Sequence, residues 1–216
     1  MVETATGLVL QTRPLTETSL IVHWLTPGLG RLATVAKGAR RPKSLFHGKL
    51  DLFYLADFGF ARSLRSELHT LREVNLRETH VGLRKDLSAL HAASYCAALV
   101  EQATESDTPL PVVFDLMSGM LAQLGMNANP RQTVFAFEFK LLEELGLQPN
   151  LAETKLDPGT RQLAKILASG DWPVLGRLRL SAEQGKELNQ FLHGFLIYHL
   201  GRIPRGRDSA LVIKDY

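Results

Sequence analysis

The chain has 216 residues, 45% of them hydrophobic, enough for one large domain or two small ones around a real core. It has no apolar run of about 18 residues to span a bilayer, its opening MVETATGLVLQTRP does not read as a secretory signal, and its single cysteine, Cys96, excludes an intramolecular disulfide and a cysteine-built zinc site. The formal net charge of +3 is unevenly spread: residues 1–80 hold 11 Lys/Arg against 7 Asp/Glu, the remainder 14 against 15, and a reducing, cytoplasmic compartment is expected.

The first 80 residues read as strands. ATGLVLQT (5–12) runs up to Arg13-Pro14, which is expected to break it. TSLIVHWL (18–25) is apolar on both alternating faces, so that strand is at least partly covered on each. Pro27-Gly28 and Gly30 lead into RLATVAKG (31–38), a hairpin signal. LDLFYLADFGF (50–60) and ELHTLREVNL (67–76) supply the last two strands. Five short strands with no intervening helix predict a small closed barrel of the OB type over residues 1–80.

The period changes after Thr79. Residues 86–105 repeat apolar positions at three and four, with Asp86 as N-cap, and Cys96 falls inside this helix as a small buried thiol. A second helix is expected over 110–125, and a third from Asn129-Pro130 to Gly146, with Phe135, Phe139 and Leu142 as a core stripe. A fourth begins at Asp157-Pro158, and a fifth opens on the capping box Ser181-Ala-Glu-Gln184 and runs to Gly201. The fold class is therefore α+β: a barrel over 1–80 followed by an all-helical part over 81–216.

The stretch AKGARRPKS (36–44) holds Lys37, Arg40, Arg41 and Lys43 and no acid. No Asp or Glu stands between Glu17 and Asp51, an interval that also contains Arg31 and Lys49. Such an interval sets up a local positive field suited to an anionic polymer. A solvated loop balanced by acids elsewhere in the fold accounts for it equally well. Pro42 forces its predecessor into extended geometry, so Arg40 and Arg41 do not share a helical face. Phe46, beside these cations, is a candidate stacking platform for a base, and Tyr54 and Phe60 are weaker candidates, since alternation turns at least one of them inward.

Catalysis finds no candidate constellation. The seven histidines are scattered, and His193 and His199 lie on different faces of their helix. Gly48-Lys49 lacks the rest of a phosphate loop, and Ser118-Gly119 lacks a nucleophile elbow. Glu143 and Glu144 are adjacent, which splays them on a helix. No cofactor and no metal site is expected.

The run ETSLIVHWLTPGLGRLATVAKGARRPKSLFHGKLDLF (17–53), with FEFKLLEELG (137–146) and YHLGRIPRGR (198–207) downstream, resembles the RecO family of bacterial recombination mediators. The resemblance implies an N-terminal OB fold, a helical C-terminal domain, and binding and annealing of single- and double-stranded DNA. It also implies RecR as partner, and help in loading the recombinase onto strands coated by single-strand-binding protein, whose tail is acidic. Lys37, Arg40 and Arg41 fall on the family's basic OB motif; Arg202, Arg205 and Arg207 fall on its basic C-terminal segment, where capping of a helix end already accounts for some cations. Many members carry a four-cysteine zinc module where this chain has QPNLAETKLDPG (148–159), so metal binding is not carried over.

The expected role is that of a non-enzymatic mediator on nucleoid DNA in the cytoplasm, using Arg31, Lys37, Arg40, Arg41, Lys43, Phe46 and Lys49 against DNA. Arg202, Arg205 and Arg207 form a possible second contact for DNA or a partner. The competing reading is an adaptor for acidic peptides that touches DNA incidentally, with Arg131 and Lys140 as exposed-looking candidates. A nuclease would need an acidic metal cluster that the sequence lacks.

Overall fold

The computed structural model describes residues 2–126 and 128–212. Five strands, β1 (Val2–Pro14), β2 (Leu20–Thr26), β3 (Gly30–Ala36), β4 (Leu55–Ala61) and β5 (Leu68–Glu78), close into a barrel in the order β1-β2-β3-β5-β4. Every pairing is antiparallel except that of β3 with β5. This is the OB-type barrel expected from the strand count, and its closure leaves no long open edge.

β1 carries the closure. Val2 to Leu8 pair with β4, and Leu8 to Pro14 pair with β2, with a register shift between Val9 and Gln11 where the strand changes partners. The expected break at Arg13-Pro14 does not occur, because Pro14 is the terminal rung, where this strand has a neighbour on one side only and a missing N–H is tolerated.

The interior is filled by Val22 and Trp24 of β2, Leu32 and Ala36 of β3, Phe58 and Phe60 of β4, and Leu71 and Val74 of β5. Trp24 stacks on Phe58 with ring centroids 4.1 Å apart. Its indole N–H donates to Thr34 Oγ1 at 2.9 Å, so this polar atom is buried with a partner. Residues 50–54, expected to open β4, are not strand. Leu52 N–H donates to Asp51 Oδ1 and Tyr54 N–H to the Asp51 carbonyl, while Phe53 takes φ 63° and buries its ring. The apolar alternation there reflects anchoring of a turn instead of pairing.

A short 3-10 turn (Val81–Lys85) precedes α1 (Leu87–Ala103), α2 (Pro111–Gly125), α3 (Pro130–Glu144), α4 (Pro158–Ser169), α5 (Trp172–Leu175), α6 (Ala182–Leu200) and α7 (Arg207–Leu211). The caps form as the sequence implies. Asn129 accepts from Gln132 N–H, Asp157 from Gly159 N–H, and Ser181 with Gln184 closes both halves of its capping box. α3 packs against α1, α4, α6 and α7, and nearly all its residues from Gln132 to Leu142 are buried. Phe135, Phe139 and Leu142 lie among them, and Cys96 of α1 is fully buried.

The chain divides into two compact units: Met1–His80 with Thr104–Asp115, and Val81–Ala103 with Leu116–Tyr216. Residues 104–115, expected in the helical part, thus group with the barrel. Asp107 N–H donates to the Arg31 carbonyl and Leu110 N–H to the Pro27 carbonyl, which ties the segment to the β2–β3 hairpin.

Candidate nucleic-acid interface

The basic stretch occupies the start of the connection between β3 and β4. Gly38, at φ +69°, turns the chain out of β3. A succession of reverse turns follows: Ala39 N–H to Ala36 O, Arg41 N–H to Gly38 O, Ser44 N–H to Arg41 O, His47 N–H to Ser44 O and Lys49 N–H to Phe46 O, at 3.0–3.3 Å. Gly38 N–H also donates to Ser19 Oγ and Arg40 N–H to the Thr18 carbonyl, so the loop is stitched to the β1–β2 connection. Two side chains pin it from below: Ala39 and Phe46 are each 8% exposed and belong to the barrel core.

Between and beside these pins the outward side chains are mostly cations. Lys37, Arg40, Arg41 and Lys43 are exposed, and among the described residues none of them pairs with a carboxylate. Arg40 reaches only the Thr16 carbonyl, at 3.4 Å. The gathering of positive charge on this Gly- and Pro-containing stretch has a geometric basis. Consecutive turns aim successive side chains to solvent from a fixed backbone, which keeps like charges close without packing them on a helix face.

The remaining expected contacts are placed differently. Arg31 donates from Nε to Thr104 Oγ1 at 2.8 Å and from Nη2 to the Thr104 carbonyl at 2.5 Å, binding β3 to the returning segment 104–115. Lys49 is half-buried and donates from Nζ to the Val74 carbonyl of β5 at 3.1 Å. Both side chains are half-buried and tied to other segments of the barrel unit, unlike the fully exposed cations of the loop. Phe46 is corrected more sharply: a core residue cannot offer its face to a base. Phe60 is fully buried and Tyr54 is half-buried against the same core, so neither replaces it. The exposed apolar side chain of this loop is Leu45, at 81%, which sequence reasoning passed over for its aromatic neighbour.

The second basic cluster also separates. Arg207 is 3% exposed and grips Glu138 with Nε to Oε1 at 2.7 Å and Nη2 to Oε2 at 2.9 Å, while Nη1 reaches Asn189 Oδ1 at 2.5 Å. The Tyr95 hydroxyl donates to the same Glu138 Oε1 at 2.6 Å. Burial opposes the charge on Arg207, but its bonds to Glu138 outweigh this and hold the guanidinium pKa above its ordinary value. Arg207 therefore belongs to a buried polar cluster, unlike the exposed surface position expected of it. Arg202 and Arg205 remain exposed and border a cavity of about 420 Å³ shared with Glu101, Gln102 and Pro204.

The two residues offered as exposed acidic-peptide contacts are half-buried. Arg131 lies over the Phe135 ring at 5.6 Å, and burial lowers its pKa. Lys140 donates to the Ala168 carbonyl at 3.0 Å, and burial lowers its pKa against the opposing pull of Glu143 and Asp171. Among the described residues no three of His, Cys, Asp and Glu gather to hold a metal ion, and no helix is long and apolar enough to cross a membrane.

Comparison with known proteins gives a consistent likeness. Residues 1–80 match the family model described as Recombination protein O N terminal, and residues 84–154 match Recombination protein O C terminal. The chain is 34% identical over 143 residues to the DNA repair protein RecO of Rhodopirellula baltica, covering 66% of this chain and 53% of that one. It is 32% identical to that of Bacillus subtilis over 67% of this chain and 56% of the relative. The DNA repair protein RecO of Alkaliphilus metalliredigens is 26% identical over 91% of this chain and 93% of its own length. The first and second of these alignments thus span little more than half of the relative.

Proposed function

The chain belongs to the RecO family, and on that premise we propose that it is a non-enzymatic DNA-repair and recombination mediator that holds DNA phosphates on the β3–β4 loop of its barrel. It binds single and double strands there and anneals complementary strands. With RecR, it assists recombinase loading onto strands coated by single-strand-binding protein, on nucleoid DNA in the cytoplasm. One observation carries the reading: Lys37, Arg40, Arg41 and Lys43 project from a turn-fixed loop with no carboxylate to neutralise them among the described residues.

The physical task is to bring two polyanions together. Their repulsion extends over a screening length of about 10 Å at 0.1 M salt, and fixed cations between the strands reduce it without covalent chemistry. A Lys37→Glu/Arg41→Glu variant is expected to slow annealing of complementary strands at least about tenfold at low salt, read by fluorescence quenching of paired labels, since it replaces two attractive contacts with repulsive ones. Annealing at the unaltered rate would remove the loop from the mechanism.

Arg202 and Arg205, beside their cavity, favour a secondary role for the helical unit in holding an acidic partner segment. That role predicts that the loop variant still captures the acidic tail of single-strand-binding protein, and that Arg202→Glu/Arg205→Glu does not.

A further inference from the structure

Leu45 stands out in the basic loop. It occupies the turn closed by His47 N–H donating to the Ser44 carbonyl at 3.1 Å, and its neighbour Phe46 donates its own N–H to Ser44 Oγ at 3.1 Å. The two central residues of that turn have opposite fates: Phe46 is 8% exposed in the barrel core, and Leu45 is 81% exposed. Collapse of Leu45 onto the barrel would require Phe46 to leave it. The side chain is therefore held in water by the fold, on a backbone pinned at Ala39 and Phe46.

A single exposed leucine is unremarkable on an ordinary surface. This one sits within a few residues of Arg40, Arg41, Lys43 and His47, all exposed, and the sequence from 18 to 50 contains no acid. An apolar protein partner would have to bury those cations beside it. A nucleic-acid strand does not: it offers phosphates at the spacing of its nucleotides and apolar base faces between them. Proteins that deform DNA combine these same two elements, cations on the backbone and an aliphatic wedge against the bases.

We propose that Leu45 is an apolar wedge that packs against, and partly separates, neighbouring bases of the strand whose phosphates Lys37, Arg40, Arg41 and Lys43 hold. The inference rests on the reading of this loop as the DNA-binding surface. It gives the loop a way to unstack a strand as it binds it, exposing base edges for pairing.

The test uses the full chain, its Leu45→Ala and Lys37→Glu/Arg41→Glu variants, and two probes: a mixed-sequence single-stranded oligodeoxynucleotide and the same strand with abasic sugars throughout. The intact chain is expected to bind the base-bearing strand about fivefold more tightly, no more than the weakest stacking of a base on an aromatic ring. Leu45→Ala is expected to bind both strands equally, at the abasic level, with an unchanged dependence on salt. A 2-aminopurine in the strand brightens on binding the intact chain and stays dim with Leu45→Ala. Leu45 is exposed, so its truncation leaves folding intact. The wedge is overturned if the intact chain shows no preference for bases, or if Leu45→Ala keeps it. Binding of the abasic strand reads phosphate contacts alone. If Lys37→Glu/Arg41→Glu leaves it unchanged, the loop itself is misassigned and the wedge falls with it.

Discussion

At the scale of single residues, a cation's sequence position says less than what lies within reach of its head group. Arg205 and Arg207 are two positions apart in one basic segment, yet Arg205 is exposed and Arg207 is buried against Glu138. Removing one partner of such a pair leaves the other charged and desolvated. Arg207→Ala is therefore expected to lower the stability of the chain by about 3–5 kcal/mol, and Arg205→Ala to change it by less than about 0.5 kcal/mol. Urea denaturation followed by circular dichroism checks both, and comparable losses would contradict the assignment. The same distinction divides Phe46 from Leu45 and Arg31 from Arg40. These partners come from distant segments: Arg207 and Glu138 are 69 residues apart, Arg31 and Thr104 are 73. Composition and local spacing do not register such pairs, which is why the basic positions were legible in the sequence and their commitments were not.

At the scale of elements, what depends on neighbouring residues alone was readable. The caps at Asn129, Asp157 and Ser181 form because each places a side-chain oxygen over the free amides of its own first turn. The five strands follow from alternation and turn residues. Misreadings fall where tertiary context decides: β1 runs on to Pro14 because its far side is unpaired there, and residues 50–54 fold into a turn that buries Phe53 and lays Leu50 and Tyr54 against the barrel core. The two turns flanking β3 yield a prediction. Both Gly30 (φ +68°) and Gly38 (φ +69°) are left-handed. A methyl group at Gly38 meets nothing closer than Arg41 Cδ at 3.6 Å, whereas one at Gly30 would collide with the Thr108 backbone. Gly38→Ala is expected to cost only the conformational penalty of about 1–2 kcal/mol. Gly30→Ala adds displacement of the 104–115 segment and lowers the thermal midpoint further. Equal shifts in differential scanning calorimetry would refute the tie between β3 and that segment.

At the scale of the whole molecule, the net charge of +3 conveys little, and its local distribution conveys more. The acid-free interval folds so that Arg31 and Lys49, half-buried, hydrogen-bond to Thr104 and to the Val74 carbonyl, while Lys37, Arg40, Arg41 and Lys43 face solvent along one ordered loop. Because exposed charges act through the ion atmosphere of the polymer they hold, each phosphate contact has a thermodynamic signature in salt. The most direct measurement is single-strand affinity across a salt series for the intact chain and for a variant with Lys37, Arg40, Arg41 and Lys43 all changed to Gln. Loss of four contacts should shrink the slope of log K against log salt by about 2.8, at about 0.7 per phosphate. Two parallel lines, however far apart, would contradict the account.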